Sequence, residues 1–139
     1  MKKIISGFAL ILLFCCANAY SQCNTDMFTE KGIKTLMNEG GYTFLKSYPV
    51  IGETGKKYSY IFSNGTKYMI ALANSDVQTK GIFIKLIDSN QNEVASTYHN
   101  GKFIPALAFT CSRTGVYTLE FSFTDTKEFC AAGVLGMKR

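Results

Sequence analysis

The spacing of apolar residues changes once along the chain, close to residue 41. From Asn24 to Glu39 apolar residues recur at helical spacing, with capping residues in front and Gly40-Gly41 behind. After residue 41, apolar and polar residues alternate with a period of two, in short runs separated by turn residues. The pattern predicts an N-terminal segment with one short helix at residues 20–41 and a strand-rich domain at residues 42–139.

The strand-rich region contains eight runs of alternating residues. In the clearest run, Tyr117, Leu119 and Phe121 point inward and the residues between them point outward. The last run is apolar at both parities, which indicates a central strand. The predicted strands are Tyr42–Val50, Lys57–Ser63, Thr66–Ala73, Ile82–Leu86, Glu93–Tyr98, Lys102–Cys111, Val116–Phe123 and Phe129–Gly136.

Eight short strands joined by polar turns predict a mainly β fold. A single open sheet of this length would leave one apolar face in water, so two packed layers are expected. We therefore predict a two-layer antiparallel β-sandwich of the jelly-roll type. The N-terminal helix is expected to cap one end or one edge of the sandwich.

The first 19 residues have the pattern of a secretory signal peptide. Lys2 and Lys3 precede the apolar run Ile4–Cys16, and Ala17 and Ala19 supply the small residues at a cleavage site. The apolar run is shorter than the roughly 20 residues that a membrane-spanning helix needs. We expect cleavage after Ala19, export to the periplasm or the cell exterior, and no transmembrane segment in the cleaved chain.

Cys23 lies soon after the apolar run and is a position where a lipid anchor could attach. Lipoprotein signals place small residues immediately before the lipidated cysteine, whereas Gln22 stands there in this chain. We therefore do not expect a lipid anchor at Cys23.

An exported chain meets an oxidising compartment, where Cys23, Cys111 and Cys130 can form disulfides. An odd number predicts one bridge and one free thiol. The predicted strand directions separate Cys111 from Cys130 by roughly 20 Å, whereas a disulfide needs Cα atoms within about 7 Å. We favour Cys23–Cys130, because Cys111 has the inward parity of a buried thiol; Cys23–Cys111 is the alternative.

The charge balance gives little support for binding to nucleic acid. The chain has 15 Lys and Arg against 10 Asp and Glu, and its net charge is +5. Two of the lysines, Lys2 and Lys3, belong to the predicted signal peptide. The remaining surplus is too small to predict a nucleic-acid partner.

One segment partly resembles a calcium-binding loop. Asp88, Asn90 and Asn92 place oxygen atoms at the first, third and fifth positions, but Glu93 replaces the required glycine and His99 replaces the required glutamate. An ordinary Asx turn accounts for the same three residues. They are kept as a calcium candidate, and no other metal, cofactor or catalytic residue is predicted.

Two further groups of residues carry chemistry that functional sites use. His99 is the only histidine and has no accompanying catalytic or zinc motif, so it is interpreted as an exposed loop residue. Aromatic residues in several strands could form a platform for stacking sugars, but their parity favours a role in the core. These residues are Tyr58, Tyr60, Phe62, Tyr68 and Tyr98.

Three phrases resemble those of pre-peptidase C-terminal β-sandwich domains. They are Gly65-Thr66-Lys67-Tyr68, Ile84-Lys85-Leu86-Ile87-Asp88 and Thr114-Gly115-Val116-Tyr117-Thr118-Leu119. The resemblance covers roughly residues 57–123 and implies a jelly-roll-like module. The chain is also similar to small stand-alone exported proteins of Gram-negative bacteria. No binding residue of the family maps onto this sequence.

These observations predict an exported, non-catalytic binding or accessory module that holds a protein or a glycan. The best candidate surfaces are the polar loops 52–56, 74–80 and 124–128, because loops carry binding in sandwich domains. The alternative is a structural or envelope-assembly subunit that acts through sheet-edge pairing. A hydrolase using His99 with nearby carboxylates is the third hypothesis.

Overall fold

The computed structural model describes residues 22–139; the predicted signal peptide lies outside this range. One helix precedes ten strands, two of which form a separate small hairpin. The elements are α1 (Thr25–Asn38), β1 (Thr43–Ile51), β2 (Lys56–Phe62), β3 (Lys67–Ala73), β4 (Ile82–Ile87), β5 (Glu93–Ser96), β6 (Tyr98–His99), β7 (Lys102–Phe103), β8 (Ala106–Thr110), β9 (Gly115–Phe123) and β10 (Cys130–Lys138).

Eight strands form two four-stranded antiparallel sheets. The first sheet has the order β1-β10-β3-β8 and the second has the order β2-β9-β4-β5. The chain crosses between the sheets at most connections, and the first and last strands are neighbours. This is the strand order of a jelly roll, so the predicted mainly β sandwich is confirmed.

Two predicted strands are each divided in the structure. The fifth ends at Ser96, and the sixth begins properly only at Ala106. Between them the chain forms the β6–β7 hairpin, in which Tyr98 pairs with Phe103 and His99 pairs with Lys102. The division lies where the chain passes from β5 in the second sheet to β8 in the first.

The main core lies between the two sheets and follows the predicted alternation. Phe62, Tyr117, Leu119 and Phe121 point inward from the second sheet, as their parity predicts. Tyr48, Ile70, Leu72 and Leu135 face them from the first sheet. Burial of these apolar side chains is the dominant stabilising contribution.

The helix packs on the outer face of the first sheet, so its expected position at an end or edge was wrong. Met69, Ala71 and Val134 form a second buried cluster with Leu36 on that face. β3 and β10 therefore present apolar residues on both of their faces. Without the helix this apolar outer face would be exposed to water, and the helix buries it.

Gly32 allows the helix to lie close to β10. A Cβ atom at residue 32 would stand 2.5 Å from Cγ2 of Val134. Phe28, Gly32 and Leu36 are the buried residues of the helix and repeat every four positions, while Met37 is 64% exposed. Asn24 caps the helix, because its Oδ1 accepts a hydrogen bond from the backbone N–H of Met27 at 3.1 Å.

A disulfide joins Cys23 to Cys130, which confirms the favoured pairing. It connects the residue before the helix cap to the first residue of β10. Cys111 is a buried free thiol, as its inward parity predicts, and lies at the opposite end of the sandwich from Cys130. Within residues 22–139, no helix is long and apolar enough to cross a membrane.

Candidate functional site

The three loops predicted as binding surfaces meet at one end of the sandwich, here called the loop end. They are the β1–β2 loop (52–55), the β3–β4 loop (74–81) and the β9–β10 loop (124–129). The β6–β7 hairpin and the Cys23–Cys130 disulfide lie at the same end. The antiparallel order of the strands brings these distant segments of sequence together.

Hydrogen bonds between the loops hold the loop end together. The N–H of Gly52 donates to the carbonyl of Phe129 at 3.0 Å, which joins the β1–β2 and β9–β10 loops. The N–H of Thr124 donates to the carbonyl of Gly81 at 2.9 Å, and the hydroxyl of Ser75 donates to the carboxylate of Glu128. The loops are therefore ordered before any ligand arrives, which lowers the entropic cost of binding.

The β3–β4 loop has its own internal support. The buried amide of Asn74 donates to the carbonyl of Lys80 at 2.9 Å and accepts from the N–H of Asp76 at 3.1 Å. The carboxylate of Asp76 accepts from the N–H of Gln78 at 2.8 Å. These bonds shape a tight polar loop and leave Val77 at its tip, where the side chain is 97% exposed.

Three adjoining depressions cross the loop end. The first has a volume of about 780 Å³ and lies beside the disulfide, the second is about 380 Å³, and the third is about 270 Å³ and lies under the β6–β7 hairpin. Ser75 and Glu128 line both the first and the second, and Lys80 lines both the second and the third. Because they share lining residues, the three depressions lie side by side on one surface of the loop end.

The chemical character of this surface changes along its length. The first depression is mainly apolar, with walls from Met27, Phe28, Ile51 and Phe129, and Lys127 and Glu128 also line it. The second is lined by the carboxylates of Asp76, Asp125 and Glu128, with Lys80 at its border. The third is lined by Gln78, Lys80, Gly101, Lys102 and Phe103. The surface therefore runs from apolar through acidic to basic.

The aromatic residues singled out from the sequence divide into two groups. Tyr58, Tyr60, Phe62 and Tyr68 belong to or pack against the main core. Tyr98 instead contacts Phe83 and Phe103 outside the core. Sequence reasoning missed this trio, although the outward parity of Phe83 among Ile82, Ile84 and Leu86 was a visible signal.

The calcium candidate lies at the opposite end of the sandwich, in the β4–β5 turn. Oδ1 of Asp88 accepts hydrogen bonds from the backbone N–H groups of Asn90 and Asn92, each at 2.9 Å. These bonds, that of Asn92 first, lower the pKa of Asp88 below its ordinary value. The geometry is that of an Asx turn, and the calcium assignment stays a prediction.

His99 and Cys111 occupy separate places. His99 is exposed on the hairpin at the loop end, as expected for a loop residue. Cys111 lies near the β8–β9 turn, where its thiol donates to the carbonyl of Arg113 at 3.1 Å and contacts the hydroxyl of Tyr117. Residues 22–139 contain no group of three or more His, Cys, Asp or Glu side chains placed to hold a metal ion.

Comparisons with known proteins give no family for this chain. No family model and no curated protein matches it. Among solved structures, the Glycosylation Associate Protein (Gap123) complex from Streptococcus agalactiae contains a similar chain, at 12% identity and a TM-score of 0.36. The match covers 72% of this chain but only 39% of that one. The resemblance to pre-peptidase C-terminal domains stays a prediction.

Proposed function

We propose that this protein is an exported, non-catalytic binding module that holds an elongated ligand across its loop end. The observation that carries the proposal is the row of three adjoining depressions, which share Ser75, Glu128 and Lys80 as lining residues. An extended protein segment or a glycan chain matches that shape. Binding sites of β-sandwiches commonly lie in loops at one end of the strands.

The order of the loop end also supports a binding role. Hydrogen bonds connect the β1–β2, β3–β4 and β9–β10 loops to one another, and the disulfide fixes the N-terminal segment beside them. A ligand would meet a preformed surface instead of having to order the loops. The disulfide is also compatible with the oxidising compartment that export implies.

Sheet-edge pairing, the alternative function, finds less support in the four edge strands. β1 carries Pro49, Lys46 and a register shift between Phe44 and Lys46. β2 begins with Lys56 and Lys57, while β5 and β8 have only four and five residues. Prolines, lysines, bulges and short edges are the features by which proteins avoid edge pairing.

Photo-crosslinking at the two ends of the sandwich tests the proposal. A photoreactive amino acid replaces Val77 or Lys127 at the loop end, and Ser89 or Ser112 at the opposite end serves as the matched control. All four side chains are exposed and form no side-chain hydrogen bond within residues 22–139. Each variant is mixed with envelope extract and irradiated, with and without excess unlabelled protein.

The expected result is one defined protein or glycan adduct that forms from the loop-end positions only and disappears in the presence of competitor. Equal yields of the same adduct from Ser89 and Ser112 would contradict a loop-end site. Absence of any competed adduct at all four positions would contradict a binding module.

A further inference from the structure

Three aromatic side chains form a patch outside the main core, made of Phe83, Tyr98 and Phe103. Phe83 projects outward from β4, whereas its neighbours Ile82 and Ile84 point inward and are fully buried. The ring centroids of Phe83 and Tyr98 are 5.3 Å apart, and those of Tyr98 and Phe103 are 4.7 Å apart. All three rings are half-buried, so the patch presents aromatic surface to solvent.

The third depression continues from this aromatic patch. Phe103 belongs to both, and the other walls are Gln78, Lys80, Gly101 and Lys102. Gly101 has a φ of +77°, and no heavy atom lies within 4 Å of the position where its Cβ would be. A ligand could therefore approach the backbone of the hairpin closely. The depression combines one aromatic ring with one amide and two ammonium groups.

The two lysines are not engaged in ion pairs within residues 22–139. The salt bridges of this part of the chain join Lys57 to Glu120 and Lys85 to Glu93. Across the hairpin, Lys102 pairs in register with the exposed His99, which gives it no negative partner. The ammonium group of Lys102 is thus available to a negatively charged ligand. That of Lys80 makes no salt bridge either, but it shares the second depression with Asp76, Asp125 and Glu128.

The anchoring of the hairpin does not by itself explain this combination of groups. Packing the hairpin onto β4 requires apolar volume, which aliphatic side chains would also supply. Aromatic faces differ from aliphatic side chains in that their negative π surface attracts the C–H groups of a sugar ring. Ammonium groups attract carboxylates, which uronic acids carry. The ring of Phe103 and the ammonium groups of Lys80 and Lys102 line the same depression.

We propose that the aromatic patch and the two lysines bind a short stretch of an acidic polysaccharide that carries uronic-acid carboxylates. A sugar ring stacks on Phe103, and its carboxylate contacts Lys80 or Lys102. The acidic residues Asp76, Asp125 and Glu128 of the second depression confine the charged stretch to the hairpin side. This inference rests on the proposed function, because it names the ligand class for one part of the loop end.

Three soluble probes separate the two elements of the recognition. An oligogalacturonate supplies sugar rings and carboxylates, a neutral galacto-oligosaccharide of the same length supplies rings alone, and a glutamate oligopeptide of the same charge supplies carboxylates alone. Binding to residues 20–139 is measured by NMR titration of the ¹⁵N-labelled protein. The expected result is binding of the oligogalacturonate, with shifts confined to the hairpin and the β3–β4 loop.

Two variants and two matched controls test the assigned residues. Phe103→Leu retains an apolar anchor and removes the ring, and we expect affinity to fall about 5–10-fold. Lys102→Gln leaves the anchor untouched; we expect a similar loss together with a weaker dependence on salt. Tyr42→Leu and Lys56→Gln, at residues outside the patch and the third depression, should bind as the unmodified protein does.

Each other outcome overturns the inference. Equal binding of the glutamate peptide, with no loss in Phe103→Leu, would indicate a general anion site. Equal binding of the neutral sugar would remove the role of the lysines. Absence of binding by all three probes, while loop-end crosslinks still form, would reject the acidic polysaccharide and leave the binding module standing. For each variant, the NMR signals of residues outside the hairpin are compared with those of the unmodified protein to check that the variant has folded.

Discussion

Tyr48 has its hydroxyl group buried without a hydrogen-bond partner among residues 22–139. Its side chain is 0% exposed, and its ring packs 4.9 Å from Tyr58 and 5.9 Å from Phe121 between centroids. An unpaired buried hydroxyl costs about 1–3 kcal/mol. Tyr48→Phe should therefore raise the free energy of unfolding by about 1 kcal/mol, seen as a higher urea midpoint at an unchanged slope. An equal or lower midpoint would contradict this.

Tyr48 also makes the free energy of unfolding decrease at alkaline pH. Burial, with smaller contributions from Tyr60 and Tyr58, raises the pKa of Tyr48 from 10.0 to about 12. Between these values the unfolded chain has lost the proton and the folded chain still holds it, so stability falls as pH rises through this window. Urea titrations at a series of pH values should show a smaller fall for Tyr48→Phe. An identical fall would assign the effect to other tyrosines.

A methyl group added at Gly32 would have two opposing effects on the stability of the protein. Replacing glycine by alanine inside a helix normally stabilises it by about 1 kcal/mol. Here the new Cβ would stand 2.5 Å from Val134, and overpacking of this kind costs about 1–3 kcal/mol. We expect Gly32→Ala to lower the thermal midpoint. In the double variant with Val134→Ala the loss should be smaller than the sum of the single losses; strict additivity would contradict the contact.

At the scale of elements, the disulfide fixes the start of the helix to the first residue of β10. It closes a loop with a sequence separation of 107, and removing a native disulfide typically costs about 2–5 kcal/mol. We expect Cys23→Ala/Cys130→Ala to lose stability in this range by urea denaturation. The matched variant Cys111→Ala should lose less, because it removes one buried thiol and no crosslink. A greater loss in Cys111→Ala would contradict the assignment.

The sequence predicts the secondary-structure elements better than it predicts which elements pack against one another. Alternation in Val116–Phe123 predicts β9 and its inward face, and the parity of Cys111 predicts a buried thiol. The position of the helix was missed, although Met69 and Ala71 already showed that β3 is apolar on its second face. Which element covers such a face depends on three-dimensional packing, since many segments could supply an apolar stripe.

The candidate site was only partly predictable for a related reason. The three polar loops were identified from their composition, but their connection through Ser75, Glu128 and Lys80 depends on the strand order. The aromatic patch joins Phe83 to Tyr98 and Phe103 of the β6–β7 hairpin. Alternation alone assigns these two residues to two longer strands and does not predict the hairpin. Periodicity reports which face a residue occupies and does not report which distant residue lies beside it.

At the scale of the whole molecule, most strand pairings join residues far apart in sequence. β1 pairs with β10, so that Thr43 lies opposite Met137, and β2 pairs with β9. Closing long loops before contacts form makes folding slow, on the order of milliseconds to seconds for β-sandwiches. Stopped-flow refolding followed by tyrosine fluorescence should show this range, since the chain contains no Trp. Refolding within microseconds would contradict the dominance of long-range pairing.

The position of Cys130 at the start of the last strand has a consequence for biosynthesis. A chain that emerges from its N-terminus presents Cys23 first, Cys111 88 residues later, and Cys130 a further 19 residues after that. During that interval the thiol of Cys23 has Cys111 as its available partner, and a wrong bond between them would hold back the N-terminal segment. The native crosslink can therefore form only after residue 130 has emerged, and burial of Cys111 in the core removes the thiol that competes for Cys23.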